Sequence, residues 1–164
     1  MQINPGDVVV YKSRGIYRVE DVGILDFTFV DRKKKYYTLQ SMGDSKERAY
    51  IPIDDKENIR KPVTKNEALD LIHDVDNIGD AWAKNGKARE QDYKECISNY
   101  DPKEWTKVLR TLYKRAESAG SITSIDKKYQ QILENALYSE LSYVLGISVN
   151  KLEKFMWDET NKIK

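Results

Sequence analysis

The chain has 164 residues, of which 40% are hydrophobic and 34% are charged, with a net charge of +1. This composition is typical of a soluble globular protein. Its single cysteine, Cys96, excludes an internal disulfide, and with no second cysteine or neighbouring histidine it also excludes a zinc site. We therefore expect Cys96 to be a buried structural thiol, and we expect no cofactor or metal.

The chain lacks both features that would direct it to a membrane or out of the cell. No stretch approaches the roughly 18 uninterrupted apolar residues needed to span a bilayer. The N-terminus has no charged start followed by an apolar core and a cleavage site. A cytoplasmic location without membrane contact is therefore expected.

Up to about Pro62 the apolar residues recur with period two, which is the period of β-strands. The runs are short, closely spaced and separated by glycines, a pattern typical of a five-stranded barrel of the SH3 or Tudor kind. The sequence therefore predicts a small β domain over residues 1–62. Its predicted strands lie at about residues 7–12, 15–22, 34–40 and 47–52.

After Pro62 the period changes to 3.6, which predicts an all-helical domain over residues 63–164. Thr64 and Glu67 have the spacing of a capping box, and Asp101 before Pro102 is a second helix start. The whole chain is thus predicted to be an α+β protein. Helices are predicted to start after Thr64, near residue 87, after Asp101, at Ser124 and at Ser148, with Gly146 ending the fourth.

The charge argues against strong independent binding to DNA. Residues 1–62 contain 12 Lys/Arg and 10 Asp/Glu, whereas residues 63–164 contain 16 and 17. A protein that holds DNA strongly by itself normally presents a strongly basic face. Any DNA contact should therefore be local and weak. The sequence also contains no GxSxG, HExxH, phosphate-loop or paired-acid motif, so we do not expect an enzyme.

Three basic features could instead serve recognition. The run at 32–35 lies beside Phe27 and Phe29, two aromatic residues predicted to be exposed; the alternative is a solvated hairpin tip. The stretch from Trp82 to Lys94 combines a tryptophan with four cations, although Trp82 could equally be a core anchor. The third is a helical stripe that could lie along phosphates or be a plain solvated face. Its members are Lys103, Lys107, Arg110 and Lys114.

Several segments resemble one known family. They are GDVVVYKSRGIYRVEDV near the start, KYYTLQ followed by AYIPID, WTKVLRTLYKRA, and DKKYQQILENALYSELSYVLG. Together they are similar to the CarD/CdnL family of bacterial transcription factors over residues from about 5 to 146. The first segment alone is also similar to the polymerase-interacting domain of transcription-repair coupling factors. The helical half distinguishes the two, because such a factor would continue into a large ATP-driven motor.

The resemblance implies a Tudor-like domain that docks on the β subunit of RNA polymerase. It also implies a helical domain at the upstream edge of the melted promoter, where a family tryptophan wedges into the minor groove and modulates open-complex stability. A monomer is expected, and a protein-only adaptor without DNA contact is the alternative. The polymerase-binding candidates are Phe27, Phe29, Arg32, Lys33, Arg48 and Tyr50. The DNA-binding candidates are Trp82, Lys84, Lys87, Arg89, Lys107, Arg110 and Lys114.

The sequence departs from the family pattern at two positions. The wedge position, counted back from Asp101, is occupied by Gly86, and Trp82 lies four residues earlier. In the β domain, Tyr50 stands where relatives carry an arginine, with Arg48 nearby. Trp82 is therefore the predicted replacement for the wedge.

Overall fold

The period-two half of the sequence forms a five-stranded antiparallel sheet in the computed structural model of the chain. The structure describes residues 2–28, 30–43, 47–55, 57–74, 86–98, 101–120 and 123–161, without the side chains of residues 86–89, 119, 157, 160 and 161. The strands are β1 (Val8–Tyr11), β2 (Ile16–Ile24), β3 (Lys35–Ser41), β4 (Arg48–Pro52) and β5 (Ile59–Arg60), in the spatial order β4-β3-β2-β1-β5.

Alternation along the strands places one set of apolar side chains in the core of the β domain. The core of the β domain consists of Ile3, Val9, Tyr17, Val19, Leu39, Ile51 and Ile59. A register shift between Val19 and Asp21 inserts a bulge in β2, and it restores Val22 to the core side. Gly15, with φ at 102°, supplies the left-handed conformation that the turn from β1 to β2 requires.

The described residues of the helical half form five helices, and their starts follow the predicted signals. Thr64 and Glu67 form both hydrogen bonds of a capping box, and the Asp101 side chain accepts from the Lys103 N–H. Gly146 ends the fourth helix in the left-handed region. The helices are α1 (Lys65–His73), α2 (Gly86–Ser98), α3 (Pro102–Ala119), α4 (Ser124–Leu145) and α5 (Val149–Asn161).

The core of the helical domain is built around α4, which contacts each of the other four helices. Leu133, Ala136 and Leu141 of α4 are fully buried, as is Trp105 of α3. The Trp105 indole donates to the Cys96 carbonyl at 3.0 Å, and this bond ties the end of α2 to the start of α3. Trp105 is therefore a core residue, as predicted.

The predicted α+β class is confirmed, with a five-stranded β domain first and helices after it. The chain divides into two compact units, Met1–Pro62 and Val63–Lys164. The periodicity did not predict β5, because a two-residue strand is too short to show alternation. The short strand nevertheless pairs with β1, and Ile59 belongs to the core.

Cys96 is buried, as predicted, and we expect it to be inert in the folded protein. Burial, assisted by the negative charges of Glu104 and Asp101, raises the pKa of the Cys96 thiol from 9.0 to about 12. The reactive thiolate is therefore scarce at pH 8, and a disulfide reagent should label Cys96 quickly only after denaturation. The stabilisation from the protonated thiol should be complete below pH 9 and be lost as the pH rises towards 12. Rapid labelling of the native protein at pH 8 would contradict this expectation.

Candidate functional site

The first candidate surface is the outward side of the edge strand β4. Ala49 and Ile51 face the core, so the alternate residues Arg48 and Tyr50 lie on the opposite side of the strand. Within the described residues β4 pairs with β3 alone, which leaves its other edge open. The sheet therefore presents two of the predicted contact residues next to a strand edge.

Phe27 packs on this outward side. Its ring contacts the Tyr50 ring edge to face, with centroids 5.2 Å apart and planes inclined at 73°. The prediction that Phe27 is exposed is wrong: the residue is half-buried, because the connection between β2 and β3 brings it back against β4. This contact brings together two predicted residues that are 23 positions apart in the sequence.

Cationic residues lie on the same strand and on the same connection as the two aromatic residues. The Arg48 Nε donates to the Gln40 side-chain oxygen at 3.0 Å, and this bond orients an exposed guanidinium. Arg32 and Lys33 lie on the same connection as Phe27; Arg32 is 3.4 Å from Asp26 in a solvent-exposed pair that contributes little to stability. Phe29 lies outside the described residues. Two half-buried aromatic residues, with an oriented cation on the strand of one of them, are suited to protein docking.

The second candidate surface is the basic stripe of α3. At about 100° per residue, Lys103, Lys107, Arg110 and Lys114 fall within roughly 60° of the helix circumference. They lie opposite the buried residues Trp105, Val108, Leu109 and Leu112. The Lys107 ammonium is 3.3 Å from the Glu104 carboxylate, so part of its charge is neutralised. The stripe has the geometry to follow a phosphate backbone, with Lys103 and Lys114 its most exposed members.

The remaining DNA-binding candidates precede α2 or lie in its first turn. Gly86 is the first residue of α2. Lys87 and Arg89 follow it in the helix, but their side chains are outside the described residues. Trp82 and Lys84 also lie outside the described residues. For this part of the predicted site, the structure therefore describes only the backbone at the start of α2.

A buried polar network holds α2 in place. Asp126 of α4 is fully buried, and it accepts from the Tyr93 hydroxyl at 2.6 Å and from Arg115 at 3.3 Å. The rings of Tyr93 and Tyr129 stack with centroids 4.9 Å apart, and the Tyr129 hydroxyl donates to Glu90 at 3.1 Å. Sequence reasoning missed this network, because the residues are far apart in the sequence and match no local motif.

The protonation of Tyr129 favours this network. Burial, together with the hydrogen bond to Glu90, raises the pKa of Tyr129 above its usual value of 10.0. Its hydroxyl therefore remains a donor at neutral pH. Three helices are joined by hydrogen bonds and ring stacking at one point, which fixes how α2 lies against α4.

The described residues do not gather into a metal site, since no three His, Cys, Asp or Glu side chains among them are suitably grouped. None of the described helices has the length and apolar character to cross a bilayer.

Comparison with known proteins identifies the β domain. Residues 3–63 match the family model of the CarD-like/TRCF RID domain. The β domain is therefore similar to CarD-like RID domains. Domains of this family interact with the β subunit of RNA polymerase and are not catalytic. The match ends at residue 63, just where the helical unit begins. No curated protein matches the chain.

The Tyr93–Asp126 hydrogen bond should contribute measurably to stability. Tyr93→Phe leaves a fully buried carboxylate without one of its donors, so we expect a loss of about 1–3 kcal/mol in the free energy of unfolding. Urea unfolding measures this loss. Tyr113→Phe is the matched control, because it removes a hydroxyl that donates to Glu134 from a residue that is 38% exposed. It should cost less than about 1 kcal/mol. Equal losses in the two variants would show that burial of the carboxylate does not decide the effect.

Proposed function

We propose that this protein is a transcription regulator that binds the β subunit of RNA polymerase and contacts promoter DNA at the upstream edge of the open complex. The match of residues 3–63 to an RNA polymerase-interacting domain carries the first part of the proposal. The helical unit that follows, with its basic stripe on α3, supports the second part. The protein would thereby modulate the stability of the open complex. Its proposed location is the cytoplasm.

The surface around Phe27, Arg48 and Tyr50 is the proposed polymerase contact. Its aromatic pair supplies apolar area, and Arg48 supplies an oriented cation. The open edge of β4 could in addition extend a sheet of the partner through backbone hydrogen bonds. Arg32, Lys33 and Phe29 would complete this surface from the connection between β2 and β3.

The proposed DNA contact combines the stripe on α3 with Trp82 and the cations that follow it. Because residues 63–164 contain 16 Lys/Arg and 17 Asp/Glu, their intrinsic affinity for DNA should be low. Polymerase would compensate by holding the helical domain next to the promoter, since a tethered contact operates at a high effective concentration. A flat indole could press against an unstacked base step while the cations neutralise nearby phosphates.

One observation favours a second candidate function. The slight negative charge of the helical half is also what a protein-only adaptor would have, with the β domain on polymerase and the helices on another protein. The two functions differ in whether the helical domain approaches DNA when polymerase is present. Crosslinking from α3 to promoter DNA would therefore separate them.

The β domain should account for polymerase binding. We expect residues 1–62 and the full chain to bind the isolated β lobe with similar affinity, measured by titration calorimetry. Tyr50→Ala should weaken binding by about tenfold, because it removes an aromatic anchor and the support of Phe27. Lys61→Ala is the control, since this exposed residue lies outside the proposed surface. If residues 1–62 fold but do not bind at roughly tens of micromolar, the docking proposal is wrong.

Binding to DNA should depend on polymerase. The protein alone should bind duplex promoter DNA weakly and without sequence preference, and promoter contact should appear once polymerase is added. Gel-shift titrations over a range of salt concentrations measure both cases. Tight, salt-resistant and sequence-specific binding by the isolated protein would be incompatible with this proposal.

Trp82→Ala should shorten the lifetime of the open complex and leave the melting temperature nearly unchanged. Trp105→Ala provides the comparison, because truncation of a fully buried tryptophan should cost about 3–5 kcal/mol of folding stability. Heparin challenge measures the lifetime, and thermal unfolding measures stability. A large fall in melting temperature in Trp82→Ala, or an unchanged lifetime, would return Trp82 to the core.

A further inference from the structure

Glu140 is a carboxylate placed in the apolar side of a helix. It lies in α4 beside the buried residues Ala136, Leu137 and Leu141, and its own exposed fraction is 0%. Removing a carboxylate from water is costly unless hydrogen bonds compensate. Burial of Glu140 therefore requires hydrogen-bond donors that offset the cost of removing its carboxylate from water.

These donors include a backbone N–H at the point where the chain enters the helical domain. A side-chain oxygen of Glu140 accepts the Val63 N–H at 2.9 Å, across 77 residues of sequence. Val63 is the first residue of the helical unit, and its side chain packs against the helical core. Because Val63 precedes the N-cap Thr64, its N–H is not part of the hydrogen-bond ladder of α1. Glu140 thus fixes a segment that α1 itself would leave unrestrained.

The neighbouring residues restrict the same segment. Pro62 has a fixed φ angle, and it confines Lys61 to extended conformations. The Thr64 N–H donates to the Glu67 side chain at 3.0 Å. Between the end of β5 and the start of α1 the chain therefore contains four residues, and each is restrained by proline or by a hydrogen bond.

We propose that Glu140 is a positioning residue for promoter contact, because it anchors the segment that connects the β domain to the helical domain. This inference rests on the proposed function. If the β domain is held on polymerase, a restrained junction limits the orientations that the helical domain can explore. The effective concentration of its DNA-binding residues at the promoter is higher as a result. Loss of the Glu140 anchor lowers this effective concentration without altering any residue that is proposed to contact polymerase or DNA.

The test uses the full chain with four substitutions. Glu140→Leu removes the acceptor and keeps an apolar side chain, whereas Glu140→Gln retains an oxygen that can accept the Val63 N–H. Pro62→Gly frees the φ angle of residue 62 and leaves Glu140 in place. It therefore tests the restrained segment even if Glu140→Leu does not fold. Leu152→Ala removes buried methyl groups from α5 and leaves both the Val63 N–H and the Glu140 carboxylate in place, so it controls for lost stability.

The first readout needs no polymerase. Exchange of the Val63 amide should accelerate by roughly tenfold or more in Glu140→Leu and much less in Glu140→Gln. Nuclear spin relaxation should give a shorter rotational correlation time for the β domain in Glu140→Leu and Pro62→Gly than in the wild type. Unchanged Val63 exchange in Glu140→Leu, or a β-domain correlation time that neither variant changes, would overturn the anchor.

The second readout tests the consequence for transcription. Glu140→Leu and Pro62→Gly should shorten the open-complex lifetime by about two- to tenfold, with affinity for the β lobe unchanged. Leu152→Ala should not shorten it at a temperature where the protein is folded. If Leu152→Ala has the same effect, or if the junction variants have none, Glu140 is a structural residue only. If the wild type neither binds the β lobe nor affects the open complex, the proposed function fails, while the exchange and relaxation data still decide the anchor.

Discussion

The helical domain depends on the packing of α4 against the four other helices. Leu133, Ala136 and Leu141 are fully excluded from solvent at these contacts. Because α4 determines which side of each neighbour is buried, it also determines which side remains available for binding. On α3 the buried side contains Trp105 and Leu112, so the basic stripe is placed on the opposite side. The proposed DNA contact is thus a consequence of the core rather than an independent feature.

Two buried carboxylates on α4 add specificity to this packing. Asp126, near the helix start, joins Tyr93 of α2 and Arg115 of α3. Glu140, about four turns later along α4, accepts a hydrogen bond from the Val63 N–H. Apolar contacts alone tolerate small rotations and shifts, whereas a buried carboxylate is stable only when its donors arrive in the right places. The two acids therefore favour one arrangement of the helices and of the incoming chain.

The sequence predicted the features that depend on neighbouring residues. The capping box at Thr64 and the proline after Asp101 located helix starts, and Gly146 located a helix end, because each signal acts within one turn. Alternation located four strands, although not β5, which has two residues. The contact of Phe27 with Tyr50 and the donors of Asp126 and Glu140 were not predictable in this way. They join residues that only the folded chain brings together, and no periodicity encodes them.

Burial and place in the sequence together limit which tryptophan could contact DNA. The position where the family resemblance implies a tryptophan is Gly86, which begins α2 and has no side chain to insert between bases. The sequence contains three tryptophans. Trp105 is fully buried and donates to the Cys96 carbonyl, so its exposure would require the core to open. Trp157 lies in α5, beyond the segments that carry the resemblance. Trp82 precedes Gly86 by four residues, and it is the tryptophan whose place in the sequence fits a contact made from the start of α2.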